Sequence, residues 1–376
     1  MNTYKDKVKG CIYISSFLET LAFFNGKWEF NYGNKIDTIK EGVLMNYFFV
    51  NHYYMLGGLN NINFKQLKSS DDTILIIATT EAIINGGGVK NYIEYYLKYF
   101  KLLKEEERIS GTATLSSLEK IRVTKNINSI KYSSTYGGNG AAIRTAPIGL
   151  KYYNDIDKVC EEALLASLVT HNYSIGFLGG IVTALFTAYA IKNISPFEWS
   201  TKLEDLYKKN FFHNLIKKHI KEDIKEDIDN FFIYWSKYNE ERISKMTFRN
   251  LPIFLNPAFK INEFTNYTAV PYLNRMKGYD KMGGSGLECT IIAYDNLLLS
   301  AIPDNKTMKV NLDKPKFNWE TLLFNNVFFF GDNDSISAVS GSWFGAYCGI
   351  DNFPIEKIKE LEFYNKLEEI SVSLLD

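Results

Sequence analysis

Two short stretches of this 376-residue chain place neighbouring acids directly in front of an apolar run. In SSDDTILIIATTEAI (69–83) the acids are Asp71 and Asp72, preceded by Ser70; in FGDNDSISAVSG (330–341) they are Asp332 and Asp334, followed by Ser335. A helix start exposes unpaired backbone N–H groups and a partial positive charge, and one Asp or Ser satisfies it as a cap. A second carboxylate beside the first adds repulsion unless a cation neutralises the pair. If the two starts meet, four carboxylates and two hydroxyls form an all-oxygen cage, which suits Mg²⁺ or Mn²⁺ and not zinc. Two such ions, roughly 3.5 to 4 Å apart, can share a carboxylate, orient sugar hydroxyls and acidify a bound water. From these residues alone, cap and cage both stay open.

A second kind of chemistry is written in glycine. YGGNGAAIRTAPIGLKY (136–152) runs from a turn of Gly137, Gly138, Asn139 and Gly140 into Ala141 and an apparent helix start. A loop without side-chain bulk followed by free N–H groups can hold a phosphate or diphosphate, and an ordinary tight turn uses the same residues. MGGSGLE (282–288) raises the same pair of readings. Other reactive residue types read as structural. The acids and lysines of KKHIKEDIKEDID (217–229) form a solvated helix face opposite Ile220, Ile224 and Ile228. His213 and His219, six apart, do not share a helical face.

The elements that must position these groups are mostly helical. TILIIATTEAII, KVCEEALLASLVT, IVTALFTAYAI, LIKKHIKEDIKEDIDNFFIYWSKY, TIIAYDNLLLSAI, SISAVSGSWFGAYCGI and IEKIKELEFYNKLEEISVSLL each carry an apolar helical run. Asn-, Gly- and Lys-rich stretches near 56–70, 107–140 and 244–290 separate them, and regularly spaced strands and repeats are absent. The expectation is a single all-α domain over 1–376. Gly341, Gly345 and Gly349 recur every fourth residue and predict a helix face on which two backbones approach closely.

Composition narrows the function. Lysine plus arginine equals aspartate plus glutamate at 43 each, so no global field favours nucleic acid or an anionic membrane. Cys11, Cys160, Cys289 and Cys348 form no CxxC pair, which argues against zinc and against a disulfide framework and fits the reducing cytoplasm. The N-terminal residues lack the apolar core of a signal peptide. The uncharged stretch Ala163–Ile191 is nearly long enough to span a bilayer, but His171, Asn172, Ser174, Thr183 and Thr187 would need partners in lipid, so it reads as a buried helix.

Taken in order, FFNGKWEF (23–30), SDDTILIIATTEAI (70–83), GGNGAAIRTAPIGLKY (137–152), THNYSIGFLGGIVTALFTAYA (170–190), GGSGLECTIIAYD (283–295) and FGDNDSISAVSGSWFGAYCG (330–349) resemble the ADP-ribosylglycohydrolase family, in particular its ADP-ribosylarginine hydrolase branch. The likeness runs from about residue 7 to the C-terminal YNKLEEISVSLL. It implies an all-α fold around a central cleft with two Mg²⁺ ions, Mn²⁺ being the alternative, and removal of ADP-ribose from modified protein arginines. On this resemblance Ser70, Asp71, Asp72, Asp332, Asp334 and Ser335 are metal ligands. Glu29 is the general base or water-positioning group, with Asp71 and Asp72 also catalytic. Gly137, Gly138, Asn139, Gly140, Ala141, Gly283, Ser285 and Gly286 match loops around the diphosphate and adenosine, and His171 a Thr-His motif near the distal part of ADP-ribose. The implied partners are arginine-linked ADP-ribosylated proteins and ADP-ribose, without nucleic acid or membrane, for a cytoplasmic monomer. Hydrolysis of ADP-ribosyl-serine or O-acetyl-ADP-ribose, and a non-catalytic ADP-ribose binder, are the alternatives. Three departures stand out. Leu18 and Ala22 flank Glu19 in LETLA (18–22), where the family has Gly-Asp-Ala-Leu-Gly, and Leu287 replaces a histidine of the arginine-specific branch.

Overall fold

Thr3 accepts from the Asp6 N–H while the Asp6 carboxylate accepts from the Thr3 N–H, a reciprocal cap that starts the first helix. The computed structural model describes residues 2–29, 48–244, 282–307, 309–329, 331–351 and 353–375. Phe30, Phe330 and most of the loop expected at 244–290 lie outside them. In chain order the main helices are α1 (Tyr4–Phe23), α2 (Asp71–Ile84), α3 (Gly88–Leu103), α4 (Thr112–Thr124), α5 (Ile156–Leu168), α6 (Ser174–Ile191), α7 (Lys225–Tyr238), α8 (Gly286–Leu299), α9 (Trp319–Val327), α10 (Asn333–Cys348) and α11 (Tyr364–Ser373). Shorter helices and helical turns join them. Among the described residues the only strands are Ala301–Ile302 and Lys316–Phe317, an antiparallel pair.

One apolar core runs from Val8 to Leu374 with α6 inside it. All eighteen residues of α6 are buried. By length and composition this helix could cross a membrane, but its apolar window lies entirely within the protein. Its threonines bond within the helix, Thr183 Oγ1 to the Gly179 carbonyl at 3.2 Å and Thr187 Oγ1 to the Thr183 carbonyl at 2.8 Å, and Thr145 Oγ1 donates to the Gly180 carbonyl at 2.7 Å. The Thr183 carbonyl also accepts from Trp343 Nε1, at 3.0 Å. Phe186 sits among Trp199, Trp235, Tyr294 and Trp343, with ring centroids 5.3–5.6 Å away.

The glycine spacing of α10 gives the close backbone approach that the sequence predicts, with the third glycine one residue past the helix. A Cβ on Gly341 would lie 3.0 Å from the Ile14 carbonyl oxygen, and one on Gly345 would overlap the Gly10 carbonyl of α1. Ser15 Oγ adds a bond to the Ala338 carbonyl at 2.8 Å. Gly349 lies just past the end of α10 at φ +71°, a conformation that disfavours a side chain, and its backbone also meets α1, since a Cβ on Gly10 would lie 2.7 Å from its carbonyl oxygen.

Several expected boundaries need correction. The loop expected over 107–140 contains α4, and α3 has no counterpart among the helical runs read from sequence. The continuous helix expected over 215–238 is broken: a short helix ends at Ile216 and α7 begins at Lys225. Ile220, Ile224 and Ile228 are nevertheless all buried, so their spacing records contact with the core and not one helix face. The run 355–375 is also broken, between Ile358 and Tyr364, where the chain turns to bring Glu362 onto Arg108. All four cysteines are unpaired.

Candidate active site

Ser70 caps α2, its Oγ accepting from the Asp72 N–H at 3.2 Å, which leaves Asp71 and Asp72 in the first turn. The approach to this cap is clamped. Arg108 donates to the Ser69 carbonyl at 2.8 Å and to both carboxylate oxygens of Glu362 at 2.7 and 2.9 Å, and Glu362 accepts from the Ser69 N–H at 3.2 Å. The second acid pair opens α10. Gly331, at φ +111°, passes so close to the Met282 carbonyl that a Cβ could not fit, and that carbonyl accepts from the Asp332 N–H at 2.9 Å. Asn333 Nδ2 donates to the Ala22 carbonyl at 3.1 Å, tying the start of α10 to the end of α1.

Just past that end, Trp28 stacks on Phe24 with centroids 4.2 Å apart and donates from Nε1 to His52 Nδ1 at 3.1 Å. This anchor buries Glu29 beside the acids of α10. Ligand oxygens of Glu29, Asp332 and Asp334 lie within 4.8 Å of one another. Asp71 and Asp72 stand outside this tightest group but within electrostatic reach of Asp334, and Ser70 lies close to Asp334. The two helix starts, remote in sequence, therefore face one space.

The electrostatics are those of acids packed together, with Arg144 a counter-charge felt by Asp71. Burial, then Asp334, pushes Asp71 up to about 7. Glu29, Asp72, Asp332 and Asp334 are raised as well, each first by burial; Asp334 and its acidic neighbours add to the rise of Glu29, Asp72 and Asp332. Glu29 Oε2, Asp72 Oδ2 and Asp334 Oδ1 are buried without a hydrogen-bond partner. Unpartnered buried carboxylate oxygens converging from several elements are the donor set of a hard divalent cation, so the residues fit one.

The glycine turns sit at the rim of this cluster. The Asn139 N–H donates to the Gly284 carbonyl and the Gly286 N–H to the Gly137 carbonyl, both at 3.1 Å, pairing the turn at 137–140 with the turn at 283–286. The pairing depends on α6, because a Cβ on Gly179 would lie 2.6 Å from the Gly286 carbonyl oxygen. Asn139 Nδ2 bridges the Gly283 carbonyl at 3.0 Å and Asp332 at 2.9 Å, so this side chain joins the turn to the acids. Ser285 Oγ caps α8, accepting from the Glu288 N–H and donating to its carboxylate, both at 3.1 Å. His171 is buried against Gly138 and Gly140, and Ala141 is fully buried.

A model of the ADP-ribosylglycohydrolase family matches residues 2–376. The chain belongs to the ADP-ribosylglycohydrolase family. It is 30% identical over 381 residues to a protein of Acanthamoeba polyphaga mimivirus provisionally named an ADP-ribosyl glycohydrolase, covering 96% of this chain and 68% of that protein. It is 29% identical over 393 residues to the Dictyostelium discoideum protein named ADP-ribosylhydrolase ARH1, covering 98% and 93% respectively. A solved structure described as an ADP-ribosylglycohydrolase-related protein complex superposes with a TM-score of 0.54 at 16% identity, covering 99% of this chain and 97% of that one. The fold is thus the all-α ADP-ribosylglycohydrolase type, and the family acts on ADP-ribosylated substrates.

Within this family fold, several residues close the site that the motif reading left unassigned. Glu19, fully buried on α1, accepts from the Ser70 N–H at 3.3 Å, from Ser70 Oγ at 3.2 Å and from Thr73 Oγ1. The Gly111 N–H reaches Asp71 at 3.4 Å. A lone carboxylate inside the apolar run YISSFLETLAFF was a readable signal for Glu19; nothing local marks Gly111, Arg108 or Glu362. Leu18, Ala22 and Leu287 are fully buried core residues.

Proposed function

We propose that this protein is a Mg²⁺-dependent hydrolase that removes ADP-ribose from ADP-ribosylated arginine on proteins, acting as a cytoplasmic monomer. The observation that carries the reading is the buried acidic cluster with unpartnered oxygens beside two paired glycine turns. The arginine linkage draws support from the relative named ARH1 and from FFNGKWEF; the four unpaired cysteines suit a reducing compartment. Held by Ser70, Asp71, Asp72, Asp332, Asp334 and Ser335, two Mg²⁺ ions would neutralise the carboxylates, orient the ribose hydroxyls and polarise water.

The chain's own groups supply the remainder. Glu29 presents its unpartnered oxygen to the same space and takes the proton of the water that attacks ribose C1″. The bond from C1″ to the guanidine nitrogen breaks with its electron pair on nitrogen, and the guanidine leaves as its cation after taking the proton that Glu29 removed from the water, which returns Glu29 to its starting state. The surrounding carboxylates stabilise positive charge on the ribose as the bond lengthens. The turns at 137–140 and 283–286 offer side-chain-free backbone where a diphosphate can lie closely.

The test is incubation of the purified protein with ADP-ribosyl-arginine and ADP-ribosyl-serine substrates, with and without EDTA. Release of ADP-ribose from the arginine substrate alone, abolished by EDTA and restored by Mg²⁺, is expected. Release from serine only, or binding of ADP-ribose without turnover, would overturn the assignment.

A further inference from the structure

Behind the glycine turn lies a chain of hydrogen bonds that runs from Arg144 through Thr170 to His171. Arg144 is fully buried, its guanidinium 4.5 Å above the Tyr96 ring. One terminal nitrogen donates to the Gly140 carbonyl at 2.9 Å; the other donates to the Ala166 carbonyl at 3.0 Å and to Thr170 Oγ1 at 2.7 Å. A guanidinium has no acceptor, so Thr170 Oγ1 must accept in this last bond. Thr170 Oγ1 also lies 2.7 Å from His171 Nδ1. Thr170 Oγ1 makes no other hydrogen bond among the described residues, so its one proton has His171 Nδ1 as its acceptor. Nδ1 is therefore the acceptor, and a neutral ring must carry its hydrogen on Nε2. Burial and the nearby Arg144 hold the His171 pKa well below its ordinary value, which agrees with a neutral ring.

Nε2 faces the turn itself. A Cβ on Gly138 would lie 3.5 Å from it and one on Gly140 3.0 Å, and it has no acceptor among the described residues. We propose that Arg144 and Thr170 are positioning residues that lock His171 as an Nε2–H donor aimed at an oxygen of the nucleotide ligand held by the turn at 137–140. The same guanidinium fixes the turn through Gly140, so ring and turn are set together. This rests on the ADP-ribose reading for the identity of the ligand, but the tautomer does not.

The experiment is long-range ¹H–¹⁵N NMR on ligand-free protein labelled at its four histidines, with His171→Asn identifying the His171 signals. The result expected is a protonated Nε2 and an unprotonated Nδ1. A proton on Nδ1, or on both nitrogens at neutral pH, would overturn the proposal. Thr170→Val removes the donor to Nδ1; the single-tautomer signature should be lost and the Kd for ADP-ribose should rise about tenfold, the worth of one hydrogen bond. Thr170→Ser, which keeps the hydroxyl, should restore both. Unchanged tautomer and affinity in a folded Thr170→Val protein would refute the relay. Wild-type protein with the Nε2–H tautomer but no ADP-ribose binding would uphold the relay and remove the nucleotide reading instead.

Discussion

Glu19 commits both carboxylate oxygens to the start of α2, one to Ser70 and the other to Thr73. Because Ser70 Oγ donates to Glu19 and accepts from the Asp72 N–H, its remaining lone pair is left for the space between the acid pairs. Glu19→Gln keeps the volume but replaces one accepting oxygen with a donor. Mg²⁺ affinity measured by calorimetry should weaken by roughly 10- to 100-fold with the helical CD signal retained; wild-type affinity would show that Ser70 orients without it. The same crowding of acids predicts a pH dependence. Asp71 rises from 3.8 to about 7 and Glu19 from 4.5 to about 8, both first through burial. A carboxyl raised on folding stabilises the native state when protonated, fully below its unfolded value, and this contribution is lost as pH climbs through the folded value. In EDTA the Tm should therefore fall as pH is raised from about 5 to about 8, and Mg²⁺ should reduce that fall. A metal-free Tm independent of pH over this range would contradict the electrostatic account.

At the scale of elements, the site depends on how closely α1 approaches α10, since this pairing brings Glu19 and Glu29 up to Asp332 and Asp334. Gly345→Ala puts a methyl into the Gly10 backbone, where no flexible side chain can move aside. Overpacking of this kind costs about 1–3 kcal/mol, and here the helices must separate. Denaturant unfolding should show a loss of at least that size together with weaker Mg²⁺ binding; a fully stable variant would mean the interface is looser than described. Such glycine spacing is legible in sequence because it needs only the helical period, and the acid pairs are legible because a cap requires one acceptor and not two. The failures have physical causes. In α4, TATLSSLEKIRVT, Ser, Thr and β-branched residues offer weak helix propensity, and tertiary packing decides. In α3, Tyr92, Tyr96, Phe100 and Leu103 form a buried helical stripe that was readable but obscured by exposed tyrosines and lysines. The run 355–375 breaks because the Arg108–Glu362 pair needs a turn, and a partner over 250 residues away leaves no local trace.

Over the whole molecule, sequence conveys the all-α class and the two acid pairs, while the architecture that unites them is three-dimensional. α6 is the clearest case: its length and apolar content suit a membrane span, its polar residues favour a core, and the packing of Phe186 and Thr183 against Trp343 places it in the core. Around it, α1, α2 and α10 bring Glu19, Ser70 to Asp72, and Asp332 to Ser335 together, and Asn139 ties the turn before α8 to Asp332. The central claim is that the two acid pairs form a single divalent-cation site. Anomalous diffraction from crystals grown with Mn²⁺ addresses it directly. Density peaks are expected between the Asp71–Asp72 and Asp332–Asp334 carboxylates, within about 2.0–2.4 Å of oxygens from both pairs. Crystals saturated with Mn²⁺ that show both pairs ordered and no peak between them would contradict the account.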